Sequence, residues 1–210
     1  MDTKEKILDT AERLFGEQGY GATSLRHIIT EAGVNLAAVH YHFGSKEELL
    51  DAIVARKLAP LNAERMVLLD QAIATAEGGA VPIQAFLEAF LRPAVLRARQ
   101  DPKFCKLMGR LHAEGLMPKM VHKNFQEIAA RFLGGMRRTL PKLSDEEVSW
   151  RIHFMIGAMA HTLQGPPDYP GLLSPSFTDP EVLLRRIVIF LSGGFLAPAV
   201  EAERSSEVKA

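Results

Sequence analysis

The stretch from Thr23 to Leu50, TSLRHIITEAGVNLAAVHYHFGSKEELL, constrains the fold more than any other part of the chain. Thr23-Ser24 precedes Leu25, Ile28, Ile29 and Ala32, apolar positions that recur at helical spacing. A hydroxyl there caps the helix by accepting a backbone N–H bond. Gly33 sits where the chain must turn sharply, and a residue without Cβ tolerates positive φ. Asn35 is placed to cap the next helix, Phe43 closes that helix on an apolar anchor, and Gly44 turns the chain again. Ser45-x-x-Glu48 is a capping box that opens a further helix. The reading is helix, glycine turn, helix. The second of these is a thin helix of small side chains followed by His40, Tyr41 and His42. Such a surface suits the major groove of DNA better than it suits catalysis.

At these residues the chain resembles the TetR family of transcriptional repressors. The residues that carry the resemblance are Ile7, Leu8, Ala11, Leu14, Phe15, Gly19 and Thr23, then Ile28, Ala32, Gly33, Val34, Tyr41, Phe43, Gly44, Lys46, Leu49 and Leu50. It covers about the first fifty residues. Family members often carry Tyr-His-Tyr where this chain has His40-Tyr41-His42, and Lys and Gly where it has Leu36 and Ala37. These departures put the operator sequence, rather than the mode of docking, out of reach. The resemblance implies a DNA-binding set of Thr23, Ser24, Arg26, Asn35, Leu36, Ala37, Ala38, His40, Tyr41, His42 and Lys46. Asn35, Ala37, Ala38 and His40 are expected towards base edges. Tyr41, His42, Lys46, Thr23 and Ser24 are expected on phosphates, which fix register without reading sequence.

Charge runs against this reading. The formal net charge of the 210 residues is zero. Residues 1–50 hold five bases (Lys4, Lys6, Arg13, Arg26, Lys46) against eight acids (Asp2, Glu5, Asp9, Glu12, Glu17, Glu31, Glu47, Glu48). A broad basic footprint, the usual mark of nucleic-acid binding, is missing. Placement matters more than the sum: residues 35–43 carry no acid, and helix N-termini can donate N–H groups to phosphates.

Beyond residue 50 the apolar period stays helical, so an all-α chain is expected. It would have an N-terminal three-helix DNA-binding domain over 1–46 and a larger helical effector-binding and dimerisation domain over 47–200. Residues 201–210 would be a disordered tail. A helix from Lys46 is expected to kink at Pro60 and to end at Gly78-Gly79. Pro82, Asp101-Pro102, Pro118, Ser144-x-x-Glu147 and Asp179-Pro180 each open another helix. No apolar stretch approaches the roughly 20 residues of a membrane helix, and MDTKEKILDT has charges where a signal peptide would need an apolar run. Cys105 stands alone as a small buried hydrophobe, and the cytoplasm is the expected compartment.

Residues 152–163 and 187–191 are apolar almost all round. Such helices must be covered on every side. The cover is either a second subunit or the rest of the protomer's own core. The family implies a homodimer through the last two long helices, with Met155, Ala158, Met159, Leu184, Ile187 and Leu191 at the interface. Two stretches, Trp150–Ala158 and GVNLAAVHYHFGSK, look like the fatty-acid-responsive branch of the family. An apolar effector, a fatty acid or acyl-CoA, is therefore expected among Met108, His112, Phe125, Phe132 and Phe154. A drug-like or aromatic compound is the alternative effector. Met suits a pocket for variable chains, and it equally fills ordinary cores. Gly134-Gly135 inside a helix marks a kink, a close ligand approach or a packing notch. The histidines lack metal-ligand spacing, no cofactor is expected, and no nucleophile elbow, P-loop or H-E-x-x-H motif points to an enzyme. The partners expected are an operator duplex, a small apolar effector and a second copy, with no membrane. The rival reading is a helical ligand-binding or scaffold protein without operator binding.

Overall fold

The computed structural model describes residues 2–98, 100–163 and 179–200, and for 117–123 the helical backbone alone. The expected tail over 201–210 lies outside the described residues. The fold is all-α, with α1 Thr3–Gln18, α2 Leu25–Ala32, α3 Leu36–Phe43, α4 Lys46–Thr75, α5 Ile83–Ala98, α6 Pro102–Ala113, α7 Met117–Thr139, α8 Asp145–Leu163 and α9 Pro180–Leu196.

Local chemistry sets the helix starts. Ser24 accepts from the N–H of His27, Asn35 from Ala38, Ser45 from Glu48, Asp101 from Phe104 and Ser144 from Glu147. Each bond satisfies one of the orphan donors of a first helical turn. Gly33 lies at φ 63°, ψ 38°, the left-handed region that its position in the turn requires. Lys46–Thr75 run as one helix of 30 residues, about 45 Å long, with Pro60 inside it and exposed. This helix ends at Thr75, before the Gly78-Gly79 pair.

Buried residues fall into two clusters. In the first, Ile7, Leu14 and Phe15 of α1 pack with Ile28, Val39, Phe43 and the first turns of α4. Leu107 and Leu111 of α6 complete it, so α6 belongs to the core of the N-terminal helices. A Cβ on Gly16 would already touch the backbone of Leu107 and Lys103 at 3.5 Å, so the glycine sets how closely α1 and α6 approach. In the second cluster, α5 is wrapped by α4, α7, α8 and α9 around Phe86, Phe90, Phe132 and Phe195. Gly135 is a packing notch: a Cβ there would come within 2.1 Å of the Phe86 ring. Gly134 meets nothing within 4 Å.

Arg151 of α8 is buried and closes the end of α9. Its guanidinium donates to the carbonyls of Phe195, Ala197 and Pro198 and pairs with Glu147 at 3.0 Å. Carbonyls at a helix C-terminus lack intrahelical donors, and a cation there also meets the negative end of the helix dipole.

Candidate nucleic-acid interface and effector cavity

The third helix presents Leu36, Ala37, His40 and Tyr41 to solvent, with Tyr41 83% exposed, while Val39 and Phe43 anchor its inner face. His40 Nδ1 lies 2.9 Å from the carbonyl oxygen of Gly44. A carbonyl only accepts, so Nδ1 carries the hydrogen and Nε2 of the neutral ring is an acceptor. The half-buried His42 ring sits between Tyr41 and Phe43, with centroids 5.0 and 6.0 Å away. Ser24 and Arg26 are exposed at the start of α2, and Ala38 is half-buried. Asn35 is exposed, with its side-chain oxygen spent on the cap of α3.

Two expected phosphate contacts are corrected. Thr23 is fully buried and its hydroxyl donates to the carbonyls of Gly19, at 2.8 Å, and Leu14. It braces the turn between α1 and α2 and has nothing left for a phosphate. Lys46 is half-buried, its ammonium donating to the carbonyl of Tyr20 and lying 4.1 Å from the centre of that ring. Burial lowers its pKa below the ordinary lysine value, against an opposing pull from Glu114. Its role is to tie the start of α4 to the α1–α2 turn.

The acidic excess of the first fifty residues has a structural destination. Glu5, Asp9 and Glu12 of α1 converge on Arg56 of α4 at 2.7, 2.9 and 2.8 Å. Arg13 takes Glu17 and Glu31. Glu114, just past α6, accepts from the N–H groups of Tyr20 and Gly21. The Arg56 cluster and the Arg13–Glu31 pair tie α1 to α4 and to α2, and Glu114 ties the end of α6 to the turn after α1.

Between α4, α5, α6, α7 and α8 lies a cavity of about 220 Å³. Its wall is mostly apolar and includes Met108, His112 and Phe125 of the expected effector set. Phe132 does not. It stacks on Phe90 and Phe86 in the second core, 4.9 and 6.2 Å between centroids. Phe154 does not either, being 62% exposed on the outer side of α8. Met159, expected at a dimer interface, is instead on the cavity wall. The polar part of the wall includes Arg56, Lys57, Arg65, Arg97 and Asp101. Cys105 is there too, its thiol pushed up to about 11 by burial and by the nearby Asp101. At that value it stays protonated and unreactive near neutral pH.

The outer faces of α8 and α9 carry Trp150, Phe154, Ile189, Phe190 and Leu196, with Phe190 74% and Ile189 72% exposed. Gly157, Gly193 and Gly194 lie open on these helices. Met155, Leu184, Ile187 and Leu191 point the other way and are buried in the protomer's own core, with Ala158 half-buried against it. The expectation that these residues form an intersubunit face is therefore corrected. One side of each helix fills the protomer, and the other is left uncovered.

Residues 7–53 match the model of the bacterial regulatory proteins of the tetR family, and residues 84–194 match that of the tetracycline repressor-like C-terminal domain. The chain belongs to the TetR family.

Curated relatives are similar over part of the chain. The transcriptional regulator LmrA of Bacillus subtilis is 39% identical over 88 residues, 41% of this chain and 45% of that protein. The regulator AcrR of Shigella flexneri is 44% identical over 53 residues, a quarter of each chain. The chain thus spans less than half the length of these curated relatives. Among solved structures, the fatty acid degradation regulator FadR of Bacillus halodurans superposes with a TM-score of 0.64 at 13% identity, covering 94% of this chain and 98% of its own. PfmR of Thermus thermophilus gives 0.56 at 24% identity, covering 91% and 99%. At these identities the structures establish the TetR fold and nothing finer.

Within that fold, sequence reasoning missed Arg65, Lys57 and Asp101 on the cavity wall and Ile189 and Phe190 on the uncovered face. Arg65 had a legible signal. It stands in the stripe Val54, Leu58, Leu61, Arg65, Leu69, whose spacing marks the buried side of α4. Among the described residues no helix is long and apolar enough to cross a membrane.

Proposed function

We propose that this TetR-family chain is a cytoplasmic, homodimeric repressor that binds a palindromic operator and is released from it by an apolar small molecule. Residues 1–46 are the DNA-binding part and residues 47–200 the effector and dimerisation part. The third helix enters the major groove, with Leu36, Ala37 and His40 at base edges and Tyr41, Ser24 and Arg26 on phosphates. Two copies meet through the Trp150, Phe154, Ile189 and Phe190 face, since an apolar patch of this kind calls for cover. The effector enters the cavity. A fatty acid or acyl-CoA is favoured by the apolar wall and by the fold shared with a regulator described as governing fatty acid degradation.

The observation that carries the reading is a shared wall. Lys57 lines the cavity and at the same time pairs with the buried Glu12 of α1, in the DNA-binding core. An effector that shifts this wall prefers one placement of the DNA-binding helices over another, and only such a preference can weaken operator binding. The test is fluorescence anisotropy with a tiled set of duplexes from the DNA flanking the protein's own coding sequence. One palindromic duplex should bind well above the others and dissociate when acyl chains are added. Uniform weak binding to every duplex would reduce the chain to a helical ligand-binding protein. Release by planar cations but not by acyl chains would replace the effector class and leave the repressor intact.

A further inference from the structure

Arg65 is 2% exposed, in the middle of the apolar stripe of α4 and on the cavity wall. Its Nε donates to the Phe90 carbonyl at 2.8 Å and its Nη1 to Asn62 Oδ1 at 2.9 Å. Both acceptors are neutral. Nη2 makes no hydrogen bond, and no carboxylate pairs with the group, among the described residues. The neighbouring Glu64 is taken by Arg97 at 3.1 Å. The rings of Phe90 and Phe125 lie 4.3 and 5.6 Å from the guanidinium carbon and face it with electron density, which offsets part of the cost of burial. Desolvation brings its pKa down to about 10, so it remains a cation at neutral pH.

The other cations of the wall are already neutralised. Arg56 is held by Glu5, Asp9 and Glu12, Lys57 by Glu12 and Asp101, and Arg97 by Glu64. Burying a charge without a counter-charge is costly, and proteins do it where a partner arrives later or where function needs the charge. A planar guanidinium is also the group best shaped to receive a carboxylate. An apolar cavity with one such group matches the common plan of a small-molecule site, in which a few polar groups fix the orientation of an otherwise apolar ligand.

We infer that Arg65 is an anion receptor and that the effector is a compact amphiphile whose carboxylate pairs with Arg65 while its apolar body fills the space lined by Met108, Phe125, Met159 and Leu163. This rests on the effector reading above and narrows it. The cavity, about 220 Å³, exceeds the roughly 150 Å³ that accepts a benzene and falls short of the roughly 300 Å³ at which drug-sized sites begin. A free medium-chain carboxylic acid fits that space better than a coenzyme A conjugate does.

The experiment uses the full chain and a head-group series on one tail: decanoate, methyl decanoate, decan-1-ol and decyltrimethylammonium, all below micelle formation. Binding is followed by calorimetry and by the midpoint of thermal unfolding, with operator affinity measured in parallel. Decanoate should bind at least roughly tenfold tighter than the ester and the alcohol, the worth of one charge-assisted hydrogen bond, with the cation weakest. Arg65→Met should abolish that preference and Arg65→Lys should keep part of it. Equal binding of decanoate and its methyl ester overturns the proposal, as does binding of none of the four. If Arg65→Met fails to fold, the head-group series on the unmodified protein still decides. Operator binding that persists while the acid shows no advantage removes the receptor and leaves the repressor. Selective decanoate binding without operator recognition does the reverse.

Discussion

Lys57 Nζ stands 3.0 Å from Glu12 Oε1 and also donates to Asp101 Oδ2, so one ammonium joins α1, α4 and the cap of α6. Burial opposes its charge, but the hydrogen bonds to Asp101 and Glu12 outweigh that and hold its pKa above the ordinary lysine value. Because Lys57 and Asp101 also line the cavity, this triad links the cavity wall to α1 of the N-terminal core. Lys57→Met should leave effector binding in place and shrink effector-induced release from the roughly 5–150-fold typical of coupled sites towards unity. Operator anisotropy titrated with and without effector measures it. Unchanged release in the variant places the coupling elsewhere.

Asp101 gives the triad a pH dependence. Burial pushes its carboxyl up, but the bonds from Lys57 and from the Phe104 N–H win and leave it below the usual carboxylate range. A depressed folded-state pKa contributes stability above the unfolded value, near 3.9, and that stability is lost as pH falls through the lower folded value. Asp101→Asn should therefore lower stability near neutral pH and flatten its loss on acidification. Urea midpoints from about pH 6 down to pH 2 for both proteins supply the comparison.

The two sides of α8 and α9 should answer differently to a charge. Phe154→Glu and Phe190→Glu fall on the uncovered face and should give folded monomers by light scattering, with helical content retained. Ile187→Asp places a carboxylate in the protomer core and should cost about 4 kcal/mol or more, appearing as unfolded or insoluble protein. A soluble, folded monomer for the unmodified chain at micromolar concentration would sink the dimer.

At the DNA face, Tyr41→Ala should weaken every duplex by roughly tenfold or more without shifting thermal stability or the salt dependence, since it removes an uncharged donor to a phosphate. Arg26→Ala should lower the slope of log affinity against log salt by about one, as loss of a single phosphate charge does. Thr23→Val, by contrast, should act through folding, because its hydroxyl bonds are internal.

Adjacent glycines in α7 offer a packing test. Gly135→Ala drives a methyl into the Phe86 ring and should cost about 1–3 kcal/mol. Gly134→Ala meets open space within a helix and should gain up to about 1 kcal/mol. Thermal midpoints moving in the same direction for both would contradict the notch.

The sequence by itself determined the helices, the turn and the family. Caps and turns are local: Ser24 with His27, Asn35 with Ala38, Ser45 with Glu48 and Asp101 with Phe104 are three residues apart, and Gly33 needs only its own backbone geometry. An amphipathic period also told inside from outside wherever a helix had a polar side. Where it had almost none, the sequence said little. On α9 the run Ile187–Leu191 is apolar throughout, and the only sign that Ile187 faces the core while Ile189 faces out is Arg185, one turn before Ile189 on the same face. Only the packing against α5 decides. The same holds for Thr23 and Lys46, whose polar groups suit a phosphate until the fold brings the carbonyls of Gly19 and Tyr20 to them. It holds again for the cavity, whose wall is drawn from five helices, α4 to α8, and for Arg65, a charge whose burial and missing counter-ion exist only once those helices have closed around it.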